Sequence, residues 1–250
     1  MKRNYKFTLS YDGTRFYGWE KQPNKDMTIQ GKLENVLSKM VGLSDGEFVQ
    51  VIGAGRTDAG VHARAMTANA ILDTVFNEEE IQKYMNQYLP EDISINEVRV
   101  CSDRFHSRYN AIGKTYRYTC YYGISKPVFD RKYVTVLEQK PDVELMREAA
   151  EYIVGTHDFK SFCGNNKMKK STVRCVDNIR IEENGPQIRF YFHGNGFLQN
   201  MVRIMTGTLL EVGYGNIKPS ELENIIASCD RQKAGPTAPP QGLCLMKVDY

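Results

Sequence analysis

The groups best suited to chemistry sit together in one stretch of the 250-residue chain: Gly53-Ala54-Gly55-Arg56-Thr57-Asp58-Ala59-Gly60-Val61-His62-Ala63. A short apolar run, Val49 to Ile52, reads as a strand feeding it. Glycines stand on both sides of Arg56 and Asp58, and glycine permits sharp turns and close approach of a second backbone. A carboxylate carried here can be aimed into a cleft. The same composition also suits a solvated turn aspartate or a helix cap. A P-loop is ruled out, because no Gly-Lys-Ser/Thr follows.

The elements around this stretch can be read from spacing. Tyr5, Phe7 and Leu9 alternate along a strand that ends at the Asp12-Gly13 turn. Thr28 caps a helix running to about Val41, with Ile29, Leu33, Val36, Leu37 and Met40 on its apolar face. Asn77 and Glu80 form a capping-box pattern ahead of a helix carrying Ile81, Tyr84, Met85 and Tyr88, and Pro90 follows it. Tyr116, Tyr118, Cys120 and Tyr122 alternate along another strand, with Asp142 then capping a helix that Gly155 ends. Ile188, Phe190 and Phe192 lead to a turn at Gly194–Gly196. A helical face runs from Phe197 to Leu209 with Gly213 as terminator, and a last strand covers Leu243 to Val248. Strands and helices mix, which predicts an α+β fold. A weak boundary near residues 103–112 gives an N-terminal half, 1–105, and a C-terminal half, 106–250.

Composition narrows the chemistry. Six cysteines form no CxxC pair and there are four histidines, so a zinc site is not expected. Reduced cysteines, mostly in the core, are the expectation. No apolar run reaches the roughly 18 residues of a membrane helix, and the N-terminus goes straight into strand-like alternation. The expected address is the cytosol. Net charge is only +3, but it is unevenly spread. Arg104, Arg108, Lys114 and Arg117 face Asp103 alone between Cys101 and Cys120. Lys160, Lys167, Lys169, Lys170, Arg174 and Arg180 face Asp177 alone further on. Together these segments would suit phosphates; apart they are solvated charges. The run Asn165–Arg174 reads as a loop able to grip a nucleic-acid stem.

The run GAGRTDAGVHA resembles the signature of the TruA-type tRNA pseudouridine synthases. Further blocks resemble that family in order along nearly the whole chain. They are Tyr11-Asp12-Gly13-Thr14 with Gly18-Trp19 and Gln22-Pro23-Asn24; Phe105 to Ala111 with Lys114 to Tyr118; His157-Asp158-Phe159 with Ser161-Phe162; Gly196-Phe197-Leu198 with Met201-Val202-Arg203; and Ala234 to Leu243. The resemblance implies two similar α/β halves sharing a mixed, mainly antiparallel sheet, with helices packed on it around a central basic cleft. It implies isomerisation of uridine to pseudouridine in tRNA, in the anticodon stem-loop, with no cofactor and no metal. It also implies a homodimer across which one RNA lies.

Residue roles follow from the same resemblance. Asp58 is the essential carboxylate, attacking ribose C1′ or taking a proton from C2′. Arg203 pairs with it. Tyr116 stacks on the flipped uracil, and such stacking is worth roughly 1–3 kcal/mol. Arg56 fills the vacated place in the base stack or contacts phosphate. Thr57 and His62 lie in the same motif, and His62 reads as a hydrogen-bonded structural residue. His106, Arg108, Lys169 and Lys170 are candidate RNA contacts. Phe197 and Leu198 wall the uracil pocket or pack in the core. The chain departs from the family pattern at Glu20, where glutamine is usual, and at Arg64 to Asn69. These differences leave open a paralogue acting on ribosomal RNA or other tRNA positions. A non-catalytic RNA-binding module and a nucleoside or glycoside hydrolase are the rival classes.

Overall fold

The computed structural model describes residues 2–44, 46–165 and 167–250. The chain divides into two compact units, residues 1–111 with 245–250, and residues 112–244. The fold is α+β, with five α-helices among the described residues.

In the first unit, β1 (Lys2–Tyr11) alternates inward Tyr5, Phe7, Leu9 and Tyr11 with more open residues, the pattern of a strand with one covered face. After it come α1 (Ile29–Met40), β2 (Ile52–Gly53), β3 (His62–Asp73), α2 (Glu78–Tyr88) and β4 (Ile93–Cys101). The strand order is β4-β1-β3, with β2 also on β3. Both β1 pairings are antiparallel, and β1 bulges near its end, between Leu9 and Tyr11 on the β3 side. The Thr28 hydroxyl caps α1 by accepting from Gly31 N–H at 3.3 Å. The Asn77–Glu80 capping box is present on α2.

The expected strand at Val49–Ile52 shrinks to Ile52–Gly53. Side chains from α1 take the ladder's place: Val49 N–H donates to Ser38 Oγ at 2.8 Å and Val51 N–H to the buried Glu34 Oε1 at 3.2 Å.

The second unit contains β5 (Gly113–Tyr121), β6 (Thr135–Val136), α3 (Val143–Ile153), β7 (Gly155–Asp158), β8 (Val173–Asn184), β9 (Gln187–Gly194), α4 (Met201–Gly213), α5 (Glu221–Ser228) and the start of β10 (Leu243–Asp249). Its strand order is β5-β9-β8-β7, all antiparallel, with β6 parallel to β5. The covered face carries Tyr118, Cys120, Phe190 and Phe192, each wholly buried. Burying one such phenylalanine contributes on the order of 2 kcal/mol. Nearly all of α4 is buried as well, including Met201, Ile204, Met205 and Leu209.

Several boundaries differ from expectation. The helix expected from Phe197 begins at Met201, because Asn200 takes a left-handed conformation (φ 59°) just ahead of it. Gly213 is its last residue, and the left-handed turn belongs to Gly215 (φ 78°). The β5 strand stops one residue before Tyr122. The run expected to be a loop to Arg174 gives way to β8 at Val173, and Asn166 within it lies outside the described residues. All six cysteines are reduced thiols, but only Cys120 and Cys163 are buried; the other four are half-buried.

From Leu245 onward, β10 and Tyr250 belong to the first unit. No helix among the described residues is long and apolar enough to cross a membrane.

Candidate active site

Asp58 lies in the turn that joins β2 to β3, half-buried, and the segment from Tyr11 to Trp19 holds that turn. Trp19 N–H donates to the Thr57 carbonyl at 3.0 Å, and Val61 N–H donates to the Asp58 carbonyl at 3.2 Å. The Thr57 and Tyr11 hydroxyls share a buried hydrogen bond of 2.8 Å. Gly18, at φ 95°, packs against the turn so tightly that a Cβ there would meet the Thr57 carbonyl oxygen at 2.6 Å. A Cβ on Gly13 would stand 2.0 Å from the Val61 carbonyl oxygen, and one on Gly53 would strike the buried Trp19 ring at 2.4 Å. These glycines are needed for close backbone approach. Residues Tyr11, Gly13, Gly18 and Trp19 thus form the bed of the Asp58 turn, a role that spacing alone does not reveal.

His62 is buried in the same scaffold. Its Nδ1 accepts from Gly13 N–H at 3.0 Å and stands 3.2 Å from Asp12 Oδ1. Arg56, by contrast, projects outward, and its guanidinium meets Glu20 Oε1 at 2.6 Å.

The segment carrying His106 and Arg108 is fixed by a buried polar network. Asn69, on β3, donates to Asn4 Oδ1 at 3.1 Å and accepts from Ser107 N–H at 2.9 Å and Ser107 Oγ at 2.7 Å. Asn4 donates to the carbonyls of Ser102 and Phe105 at 3.0 and 2.9 Å. The Tyr250 hydroxyl donates to the Ser107 carbonyl at 2.7 Å. Buried amides satisfied in this way specify one arrangement, because breaking a single bond leaves its partner unsatisfied. His106, half-buried, and Arg108, exposed, flank this anchor. His106 Nδ1 accepts from the N–H groups of Arg108 and Tyr109 at 3.2 and 3.3 Å, and its ring stacks on Tyr109 with centroids 4.2 Å apart. Neither Asn4 nor Asn69 carries a sequence signal for this role.

In the second unit, Tyr116 lies on β5 opposite Phe192 and is 8% exposed. Its ring meets that of Phe197 edge-on, at 5.3 Å and 86°. Leu198 is buried beside Phe197 in the same loop. Arg203 sits in the first turn of α4. Its Nε donates to the Ala238 carbonyl at 2.7 Å, Nη1 donates to Asn200 Oδ1 at 3.0 Å, and Ala238 N–H returns a bond to the Arg203 carbonyl at 3.1 Å. The Ala234–Gly242 segment is pressed against α4: a Cβ on Gly207 would lie 1.8 Å from the Pro236 carbonyl oxygen. Two directed bonds therefore orient the guanidinium. Lys169 and Lys170 are exposed, with no carboxylate partner among the described residues. Arg180 is committed to Glu182 and lies over the Tyr191 ring at 4.4 Å.

The first unit thus offers a carboxylate on a turn fixed from beneath. The second offers an aromatic edge-to-face pair and an oriented guanidinium. Among the described residues no cluster of three or more His, Cys, Asp or Glu side chains could hold a metal ion.

Known proteins match this chain along almost its whole length. A family model described as tRNA pseudouridine synthase matches residues 8–110 and 149–250. The chain is 46% identical over 249 residues to tRNA pseudouridine synthase A of Clostridium acetobutylicum, covering 99% of this chain and 100% of that one. It is 44% identical to tRNA pseudouridine synthase A of Bacillus sp. strain KSM-64, with 99% of each covered. It is 46% identical to tRNA pseudouridine synthase A 1 of Clostridium tetani, over 99% of this chain and 100% of that one. Matches of this extent include the Asp58 turn, the Tyr116 strand and the first turn of α4, and the chain belongs to the tRNA pseudouridine synthase family.

Proposed function

We propose that this protein isomerises uridine to pseudouridine in the anticodon stem-loop of tRNA. The bond from ribose C1′ to base N1 breaks, the uracil turns while bound, and C5 joins C1′. The C5 proton leaves and N1 ends protonated, so substrate and product have equal mass. The reacting carbon is anomeric, a centre that carboxylates attack in other enzymes. Asp58 is assigned that attack, or the alternative removal of a C2′ proton.

The observation that carries the reading is the immobilisation of Asp58. Its turn is held by the Trp19–Thr57 and Tyr11–Thr57 hydrogen bonds and by the close approach of Gly18, and a nucleophile must be kept within fractions of an ångström of its target. In this reading Arg203 pairs with the carboxylate, Tyr116 stacks on the extruded base, and Phe197 and Leu198 wall its pocket. Arg56, His106, Arg108, Lys169 and Lys170 contact RNA, while Thr57 and His62 support the turn. The working form is a cytosolic homodimer.

The test is incubation of purified protein with an unmodified tRNA transcript and no additive. Wild-type protein forms pseudouridine, whereas Asp58→Ala and Asp58→Asn lose turnover and bind tRNA within about twofold of wild type. Pseudouridine made by Asp58→Ala at the normal rate overturns the assignment. Release of free uracil identifies a hydrolase, and stoichiometric binding without turnover identifies a binding module. Mapping the modified uridine tests the anticodon-arm target.

A further inference from the structure

Glu20 holds no role in the reaction as described, yet its position is built. The chain before it is fixed by the Trp19 N–H to Thr57 carbonyl bond, and Gln30 N–H binds the Trp19 carbonyl at 2.9 Å. The chain after it is fixed by Lys21 N–H donating to Gln30 Oε1 at 3.0 Å. Arg56 precedes Thr57, the residue on which Trp19 is anchored. The scaffold itself thus brings Glu20 Oε1 within 2.6 Å of Arg56 Nη2, with both side chains about half exposed (46% and 58%).

An ion pair this open adds little to stability. Its consequence is for what Arg56 can do next. A guanidinium engaged by a carboxylate has part of its donor fork occupied, and a phosphate or an extruded nucleotide has to displace that carboxylate first.

We propose that Glu20 is an internal rival of RNA for Arg56, a latch that lowers the affinity gained from Arg56 until an RNA displaces it. This rests on the assignment of Arg56 as an RNA contact. RNA that reaches the Asp58 turn exchanges the Glu20 carboxylate for its own anionic or base acceptor. RNA that touches only the outer lysines gains nothing from Arg56.

The test is tRNA affinity in a double-mutant cycle. An unmodified tRNA transcript is titrated with wild type, Glu20→Gln, Arg56→Ala and the double variant, at about 50 and about 200 mM salt. Glutamine keeps the size of Glu20 and removes its charge. Glu20→Gln should bind about two- to fivefold more tightly than wild type at the lower salt, with the gap narrowing at the higher salt. In the Arg56→Ala background Glu20→Gln should change nothing. Equal affinities for wild type and Glu20→Gln overturn the proposal. So does a gain that survives undiminished without Arg56, since Glu20 would then act as a general repelling charge. The functional reading fails separately, if wild-type protein binds the transcript and forms no pseudouridine.

Discussion

Gly18 and Thr57 are in direct backbone contact: a Cβ on Gly18 would stand 2.6 Å from the Thr57 carbonyl oxygen, one residue ahead of Asp58. Gly18 also sits at φ 95°, a conformation other residues adopt at a cost. Gly18→Ala is therefore expected to destabilise the protein by about 1–3 kcal/mol and to displace the turn. Turnover should fall on the order of 10- to 100-fold, the effect of misplacing a reacting group by about an ångström, with tRNA affinity little changed. The buried Trp19 is the chain's single tryptophan, so its emission reports the displacement alongside thermal unfolding. Wild-type emission and turnover in the Ala variant would refute the contact.

Asn200 does two jobs that substitution can separate. Its backbone is left-handed ahead of α4, and its side-chain oxygen binds Arg203. Asn200→Gly keeps the first and loses the second, and should be stable to within about 0.5 kcal/mol of wild type. Asn200→Ala loses both and should be less stable by about 1–2 kcal/mol. Both should slow single turnover roughly tenfold, the worth of one hydrogen bond to a charged group. Denaturant titration and single-turnover kinetics on both variants check this. A wild-type rate in Asn200→Gly reduces Asn200 to a backbone device.

Alkaline pH should unfold the second unit. Burial pushes the Tyr118 hydroxyl and the Cys120 thiol well above their ordinary ranges. Their neutral forms are therefore favoured in the folded state, and the stability tied to them is fully present below the unfolded values of roughly 8.5 for cysteine and 10 for tyrosine. It is lost as pH rises past those values. Burial also raises Tyr214, and in the first unit Cys101 and Tyr250, the last pushed up to about 12. The urea midpoint should hold steady to about pH 8.5 and then decline. Cys120→Ala should lower the midpoint overall but flatten its fall between about pH 8.5 and 10. A midpoint that does not move up to about pH 10.5 contradicts the burial of these groups.

Much of this molecule is legible in its sequence because local chemistry fixes it. The caps Thr28, Asn77 and Asp142 each accept the expected backbone bonds. The inward alternation of β1 survives in the fold, while on β5 it is interrupted by Thr119, buried between Tyr118 and Cys120. What escaped notice depends on distant partners. From Met66 to Ala70 five successive residues of β3 are buried, so no two-residue period marks it as a strand. The helix α5 is short, and Ser220 gives it no side-chain cap. At the site, the signature marks Asp58, but its support comes from Tyr11, Gly13, Gly18 and Trp19, some forty residues earlier. The Asn4–Asn69–Ser107 network joins positions so far apart that only the folded chain relates them.

The return of Leu245–Tyr250 to the first unit has a consequence for biosynthesis. That unit draws strand residues from beyond all of the second, and Tyr250 binds the carbonyl of Ser107 from there. Domains ordinarily fold in the order in which a ribosome emits them. Here the portion that emerges first must wait, still lacking its last strand, until the other has been made.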